Sequence, residues 1–246
     1  MMQPQTIEEQ PAAKAALLSL RGVHAWYGLS HILQGVDMDV GKGEVVALLG
    51  RNGVGRSTLC KAVMGIVTRK GSIRVNGAEM VGAKPHEIAQ AGIGYVPEER
   101  AVFPGLTVEQ NLLLGIHAAA RSDWSMGDAY ALFPSLQRRA DTHAELLSGG
   151  EQQMLSICRA LMSGPDLLIV DEPTEGLAPL IVDQVGELLK SIAERGVAVL
   201  LVEQKLTIAM RVAHRVYVMG QGRMVFSGTP NELRDAPEIR KSWLEV

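Results

Sequence analysis

Residues 45–58 of this chain read VVALLGRNGVGRST and pass from an aliphatic run through a glycine-rich turn into a helical pattern. The run Val45–Leu49 predicts a buried strand, and the helix is predicted from about Arg56 to Met64. The turn matches the phosphate-binding loop pattern G-x-x-x-x-G-K-[ST], except that Arg56 stands where the pattern has Lys. The residues predicted to bind phosphate are Gly50, Arg51, Asn52, Gly53, Val54, Gly55, Arg56, Ser57 and Thr58.

A loop of this kind binds phosphate because its glycines let backbone N–H groups turn inward, and the following helix adds the positive end of its dipole. Arg56 would place its cation against the outer phosphates, and the Ser57 hydroxyl would bind Mg²⁺. The alternative is a glycine-rich turn without a ligand. The order strand, loop and helix favours the phosphate site.

A second aliphatic strand, Leu167–Val170, ends in the acid pair Asp171 and Glu172. Ligands of open α/β sheets bind at the carboxyl ends of the strands. Asp171 is predicted to hold Mg²⁺ through a bridging water, and Glu172 to orient or deprotonate an attacking water. Two adjacent acids could instead be solvated turn residues, an interpretation that is weaker beside a phosphate loop.

The stretch LSGGEQQ at 147–153 comes immediately before a predicted helix. Ser148 followed three residues later by Glu151 fits a simple capping box. A helix that starts with two glycines is also an exposed anion site. The motif lies about twenty residues before the aliphatic strand with its acid pair, and the combination is more specific than either part.

Strands alternate with helices after residue 147, which predicts an α/β fold with parallel βαβ units. The predicted elements there are helix Gly150–Met162, strand Leu167–Val170, helix Pro179–Arg195, strand Val197–Val202 and helix Lys205–Ala213. Short strands precede residue 50, hairpins are predicted at GSIRVNG and VYVMGQGRMVFSG, and a short helix is predicted near the C-terminus. Residues 107–147 are predicted to be mostly helical, with breaks near Gly105 and Pro134, and to form a second subdomain. Residues 1–16 are predicted to be a flexible tail.

Composition excludes several classes of protein. Lys plus Arg number 24 against 27 Asp plus Glu in 246 residues, a net charge of −3 that argues against a dedicated nucleic-acid binder. Hydrophobic residues make up 47%, which excludes disorder over most of the chain. The aliphatic runs fall short of the roughly 20 residues needed to span a bilayer, so a cytosolic chain is expected. Cys60 and Cys158 are expected to be small buried hydrophobes.

The phosphate loop, LSGGE and the strand with its acid pair, in this order, resemble an ATP-binding-cassette (ABC) ATPase, the nucleotide-binding subunit of an ABC transporter. The resemblance covers about Leu17 to Val246. It implies an α/β fold with a P-loop NTPase core, 17–100 and 164–246, together with an N-terminal antiparallel β subdomain. It also implies an inserted α-helical subdomain, about 101–163, that carries the LSGGE motif within one ATPase domain, 17–246.

In that family two such domains pair head to tail around ATP. The resemblance implies that Ser148, Gly149 and Gly150 contact the γ-phosphate bound by the partner. Tyr27 falls where the family has an aromatic side chain that stacks on adenine, and its alternative is core packing beside Trp26.

Two site residues depart from the usual family pattern. Glu98, in GYVPEER, replaces a Gln that senses Mg²⁺ and the transmembrane partner, and it is predicted as a catalytic and metal-site residue. Gln204, in LLVEQK, replaces the switch His. Gln204 can hydrogen-bond a γ-phosphate or water but cannot shuttle a proton. Arg56 keeps the charge of the usual Lys on a longer planar fork, so ATP should bind and hydrolysis should be slower.

The stretches around YVPEER, DEPTEGLAP and LLVEQ resemble the second ATPase of branched-chain amino-acid uptake systems and similar urea or amide importers. This implies ATP and Mg²⁺ as ligands. It also implies two permease subunits and a second ABC ATPase as partners, a periplasmic solute-binding protein indirectly, and no nucleic acid. The chain would be cytoplasmic and peripheral on the inner face of the cell membrane, through the permease.

Three functions are weighed on these residues. The first is an energy-coupling ATPase of an importer. The second is a catalytically weak regulatory half of an ATPase dimer, which Arg56 and Gln204 favour and Glu172 opposes. The third is an ATPase of this superfamily acting on DNA or ribosomes. Such relatives carry coiled-coil insertions, tandem cassettes or basic linkers, and this sequence shows none of them.

Overall fold

The computed structural model describes residues 16–116 and 124–245, so the predicted tail lies outside the described residues apart from Ala16. The strands are β1 Leu18–Tyr27, β2 Ser30–Val40, β3 Val45–Leu49, β4 Thr68–Val75, β5 Ala78–Glu79, β6 Ile93–Val96, β7 Leu167–Asp171, β8 Ala198–Glu203, β9 Arg215–Gly220 and β10 Arg223–Gly228. The α-helices are α1 Arg56–Val63, α2 Pro85–Gln90, α3 Val108–Leu113, α4 Met126–Leu132, α5 Pro134–Arg138, α6 Gly149–Leu161, α7 Pro179–Glu194, α8 Leu206–Val212, α9 Pro230–Arg234 and α10 Pro237–Trp243.

The central sheet has six strands in the order β10-β9-β3-β8-β7-β6. All neighbours in it are parallel except β10, which pairs antiparallel with β9. Every residue of β3, β7 and β8 is buried. A parallel sheet covered on both faces needs such continuous aliphatic strands, which confirms the predicted α/β fold.

Alternate residues of β7 pack into two separate hydrophobic cores. Leu168 and Val170 pack with the helices that follow residue 107, whereas Leu167 and Ile169 pack against the N-terminal strands. This alternation follows from the two-residue side-chain period of a strand. The central sheet therefore separates a helical layer from a second layer that contains the N-terminal strands, here called the β layer.

The β layer is a four-stranded antiparallel sheet in the order β2-β1-β4-β5. Its inward residues, among them Leu20, Ala25 and Leu33, are fully buried. The outward face carries a stack of rings in which Trp26 lies 4.7 Å from His31, centroid to centroid. The predicted N-terminal antiparallel sheet is thus present.

Residues 107–147 are less helical than the sequence indicates. The described part contains three helices of five to seven residues, α3 to α5, and a single 3-10 turn at Ala144–Leu146. Pro134 starts a new helix after Phe133, whose φ and ψ of −132° and 81° are not helical, so the predicted break at Pro134 is present. These short helices share one hydrophobic core with α6, α7 and the central sheet.

The strands β3, β7 and β8 end at the same edge of the sheet. Leu49 pairs with Glu203, and Asp171 pairs with Val202. The loops that follow these three strands are therefore neighbours, and they carry the predicted functional residues. Among the described residues, no helix is both long and apolar enough to cross a membrane.

Candidate active site

The loop between β3 and α1 has a conformation that depends on its glycines. Gly53 and Gly55 have φ angles of +80° and +112°, which residues with a side chain rarely adopt. Helix α1 begins after Gly55, which has no side chain to cap the first N–H groups. Those N–H groups and the helix dipole form an anion site.

Arg56 is 4% exposed and is shared between two acceptors. Its Nη2 donates to Asn52 Oδ1 at 3.0 Å and to Glu172 Oε1 at 2.5 Å. Among the described residues, its Nη1 has no hydrogen-bond partner. A buried guanidinium nitrogen requires an acceptor, and a phosphate oxygen in the adjoining cleft is a suitable one.

Ser57 and Asp171 form the candidate magnesium site. The Ser57 hydroxyl donates to Asp171 Oδ1 at 3.2 Å, and the Tyr95 hydroxyl donates to Oδ2 at 3.4 Å. Burial raises the pKa of Asp171, and the hydrogen bond from Ser57 opposes that rise. A hydroxyl beside a carboxylate supplies the hard oxygen ligands that Mg²⁺ prefers, so these residues fit the ion.

Glu172 has a left-handed backbone, with φ +46°, immediately after β7. Its N–H donates to Val202 O at 2.9 Å, which fixes the turn against β8. A non-glycine residue in this conformation is typical of functional sites, where surrounding contacts hold it in place. Burial raises the pKa of the Glu172 carboxyl, and Arg56 lowers it.

A cleft of about 320 Å³ brings many of the predicted residues together. It is lined by Ile32, Asn52, Gly53, Gly55, Arg56, Ser57, Thr58, Glu98, Glu172 and Glu175. Partial burial, the charge of Glu172 and a hydrogen bond with Glu175 all raise the pKa of Glu98. The phosphate loop, Glu98 and Glu172 thus share one site.

Three residues of the predicted phosphate loop do not line this cleft. The Arg51 side chain donates through Nη2 to the carbonyl oxygen of Lys241, at 3.3 Å, and to that of Glu245. Only the main chain of Arg51 is then left to face a ligand. A Cβ on Gly50 would lie 2.7 Å from the carbonyl oxygen of Met219, so only glycine fits there. Val54 packs against the core between the central and antiparallel sheets.

Tyr27, at the end of β1, is 46% exposed and does not line the cleft. Trp26, one residue earlier, stacks on His31 on the outer face of the antiparallel sheet. Successive side chains of a strand point to opposite faces, so the Tyr27 ring does not share the packing of Trp26. Its ring is accessible to a ligand, and the adenine contact stays a prediction.

The LSGGE segment contains the capping box that the sequence allows. Ser148 Oγ accepts from Glu151 N at 3.3 Å, and Glu151 Oε2 accepts from Ser148 N at 2.9 Å. A Cβ on Gly149 would lie 2.8 Å from Nη1 of Arg100, and one on Gly150 would lie 3.1 Å from Ile181. Ser148, Gly149 and Gly150 do not line the cleft of their own chain.

Gln204 follows β8 and is partly exposed. The residue before it, Glu203, is not among the site residues predicted from the sequence. Glu203 is 2% exposed and accepts hydrogen bonds from Thr174 and Lys205. Burial raises the pKa of Glu203, and these hydrogen bonds oppose the rise. Glu203 is an acid at the end of a buried aliphatic strand, and the same pattern predicts Asp171 as a site residue. Glu203 could therefore have been predicted from the sequence in the same way.

The two glycines of the phosphate loop make a matched test. We expect Gly55→Ala to lower the free energy of unfolding by about 1–3 kcal/mol, because φ is +112° and the new Cβ would lie 3.0 Å from Leu33. Gly53→Ala, with open space around it, should cost about 1 kcal/mol. Urea unfolding measures both free energies, and equal losses in the two variants would contradict the described loop.

Comparisons with known proteins identify the family. A family profile described as ABC transporter matches residues 33–175. The branched-chain amino-acid transport ATP-binding protein BraG of Pseudomonas aeruginosa is 43% identical, over 93% of this chain and 99% of that protein. The probable branched-chain amino-acid transport protein LivF of Archaeoglobus fulgidus is 35% identical, over 89% and 94%.

The fold is also similar to a solved ATP-binding subunit of an ABC transporter. The two share a TM-score of 0.77 and 29% identity, and the match covers 93% of this chain and 96% of that one. Together with a cleft that is lined by both the phosphate loop and Glu172, these similarities leave one family. This chain belongs to the ABC transporter family, as one of its ATP-binding, ATP-hydrolysing subunits.

Proposed function

We propose that this chain binds and hydrolyses ATP to power an ABC importer for branched-chain amino acids or a related small polar solute such as urea or an amide. The observation that carries the hydrolysis is the cleft that is lined both by Arg56, with its unpartnered Nη1, and by Glu172. The solute class rests on the similarity to BraG. Residues of the cleft itself do not specify a solute.

The chemistry follows from the positions of the side chains. The loop N–H groups and Arg56 hold the phosphates, and Ser57, Asp171 and Glu98 hold Mg²⁺. When bound, Mg²⁺ neutralises charge on the phosphates. Glu172 accepts a proton from the attacking water, and Gln204 orients the γ-phosphate through its amide, since it cannot carry a proton. Catalysis of this kind is mostly positioning and charge neutralisation.

A second ABC ATPase completes the site in this proposal. Ser148, Gly149 and Gly150 bind the γ-phosphate held by the partner, and the partner's equivalent residues close this cleft. The position of LSGGE outside its own cleft supports this arrangement. Leu180, 70% exposed in the first turn of α7, supports an interface there. Tyr27 stacks on adenine.

The permeases contact the helical subdomain, about 101–163, which transmits the movement. Four apolar side chains around α3, namely Phe103, Leu113, Leu114 and Ile116, are 48, 49, 54 and 47% exposed. Apolar surface of this kind favours coverage by a protein partner. The chain is then cytoplasmic and peripheral at the membrane, and a periplasmic binding protein supplies the solute to the permeases.

The alternative is a catalytically weak half that regulates an ATPase heterodimer. It is favoured by the ion pair between Arg56 and Glu172, whose side chains are 4% and 11% exposed. In this pair Arg56 engages the carboxylate of Glu172 that would act as the catalytic base. The proposal and its alternative differ in which chain's acid is needed for turnover.

The test is ATP hydrolysis by this chain reconstituted with its two permeases, second ATPase and binding protein. We expect leucine or another branched-chain amino acid to stimulate ATP turnover at least severalfold. Glu172→Gln in this chain should abolish the part of the turnover that this chain contributes. Urea and acetamide are tested in parallel. Turnover that depends only on the second ATPase's own acid would contradict the proposal and favour the regulatory half.

A further inference from the structure

Glu203 is a buried carboxylate that lies between two loops of the proposed active site, the loop after β7 with Glu172 and the loop after β8 with Gln204. It ends β8, one residue before Gln204, and is 2% exposed. Its Oε1 accepts from the Thr174 N–H at 3.2 Å and from the Thr174 hydroxyl at 2.6 Å. Its Oε2 accepts from the Lys205 N–H at 3.4 Å. Each carboxylate oxygen therefore holds a different loop.

The two loops carry the two groups that must meet at one phosphate. Thr174 lies two residues after Glu172, and Lys205 lies one residue after Gln204. The N–H of Glu172 also donates to Val202 O at 2.9 Å, so the turn after β7 is anchored on β8 directly beside Glu203. A single side chain thus joins the backbone around the catalytic acid to the backbone around the switch residue.

Sheet stability does not explain this residue. Its neighbours in β8, Leu201 and Val202, are fully buried apolar side chains, and an apolar residue at 203 would avoid a costly buried charge. The partners of Glu203 at these distances are neutral N–H and O–H donors. Where a sequence keeps such a residue, the geometry it enforces is the more direct reason.

We propose that Glu203 is a positioning residue that fixes Gln204 relative to Glu172, so that both side chains reach the same γ-phosphate. The inference rests on the proposed ATP hydrolysis and deepens it. Glu203 itself does not touch the reacting atoms. Its effect passes through Thr174 on one side and Lys205 on the other.

The isosteric change Glu203→Gln is expected to release one of the two loops and to keep the other. An amide has one acceptor atom, whereas the carboxylate has two. The amide oxygen is expected to keep the Thr174 hydroxyl, which makes the shorter contact at 2.6 Å, and its NH₂ then faces the Lys205 N–H. Two facing donors repel, so the switch loop is released while the Glu172 loop is kept. Glu187→Gln, an exposed charge loss on α7, is the matched control.

The first readout is amide hydrogen exchange in the full chain without nucleotide. In Glu203→Gln we expect the Lys205 amide to exchange at least about fivefold faster and the Thr174 amide to keep its rate. Glu187→Gln should change neither. Equal exchange at Lys205 in the variant and the unaltered chain would overturn the proposal, whether or not ATP is hydrolysed.

The second readout is the first-order rate constant for cleavage of bound Mg-ATP in the reconstituted complex. This constant does not depend on how much protein is folded, so a loss of stability alone leaves it unchanged. We expect at least about a tenfold fall, because a misplaced catalytic group costs this much or more. ATP affinity should stay within about twofold, since the phosphate loop is untouched. An unchanged rate constant would overturn the proposal.

Lys205→Pro tests the same contact without altering Glu203. It removes the N–H that donates to Oε2, and the φ of −77° at Lys205 suits proline. Lys205→Ala removes the charge and keeps the N–H. We expect the cleavage rate to fall in Lys205→Pro and not in Lys205→Ala. Equal rates in both variants would overturn the proposed role of Glu203. No cleavage by the unaltered complex would contradict the proposed function instead.

Discussion

Replacing Glu172 by Gln is expected to lower the rate of ATP hydrolysis by about 10²–10⁴-fold and to leave ATP bound. The amide keeps the shape of the side chain but cannot accept a proton from water. Glu172 lies in the cleft with the phosphate loop, its backbone held at φ +46° by the bond to Val202. Phosphate release measures the rate, and retention of radiolabelled ATP measures binding.

Glu194→Gln is the control for this change. Glu194 is an exposed acid at the end of α7, away from the three loops of the site. It loses the same charge, so its hydrolysis rate should equal that of the unaltered chain. Hydrolysis that persists at more than a tenth of the normal rate in Glu172→Gln would mean that another group activates the water.

Replacing Arg56 by Lys is expected to raise the hydrolysis rate by about tenfold. The Arg56 fork reaches Asn52 and Glu172 together, and the ion pair with Glu172 occupies the carboxylate that must accept a proton. A charge-assisted hydrogen bond of this kind is worth about 1.5–3 kcal/mol, so its release exposes a usable base. Lys keeps the positive charge for the phosphates on a shorter, more flexible stem.

The decisive comparison is the rate at saturating ATP in the two chains, with the affinity measured separately. Arg56→Lys should bind ATP at least as tightly as the unaltered chain. Arg56→Met, which removes the charge, should lose affinity and so separates the two roles of the residue. Unchanged or slower turnover in Arg56→Lys would show that the ion pair does not restrain Glu172.

Local sequence patterns predict the elements that position this site. The aliphatic runs of β3, β7 and β8 are continuous because a parallel sheet buries both of its faces, so each strand was recognisable alone. The glycine pattern predicts the loop because φ angles such as +112° at Gly55 exclude most residues. These features depend on neighbours in the sequence.

Contacts between distant residues were not predictable in this way. The ion pair of Arg56 with Glu172 joins positions 116 residues apart. The sequence predicts a strand at Val197–Val202, whereas β8 runs Ala198–Glu203 and ends in an acid. That acid is buried because Thr174, from the neighbouring strand's loop, satisfies it. Only the sheet order brings these groups together.

The helical segment after residue 107 shows a different limit. Its composition is helical, but Pro134 and the bridge between Thr107 and His143 divide the described part into short pieces. Each piece is stabilised by its contact with the shared core more than by its own propensity. The break at Pro134 is predicted from the sequence, whereas the pairing of Thr107 with His143 joins distant residues and is not.

The most direct test of the central claim, that the cleft lined by the phosphate loop and Glu172 binds ATP through Arg56, is a calorimetric titration. A non-hydrolysable ATP analogue with Mg²⁺ is titrated into the unaltered chain and into Arg56→Met. We expect one nucleotide per chain in the first and at least about tenfold weaker binding in the second, because a charge-assisted contact is lost. Equal affinities, or no binding to the unaltered chain, would contradict the account.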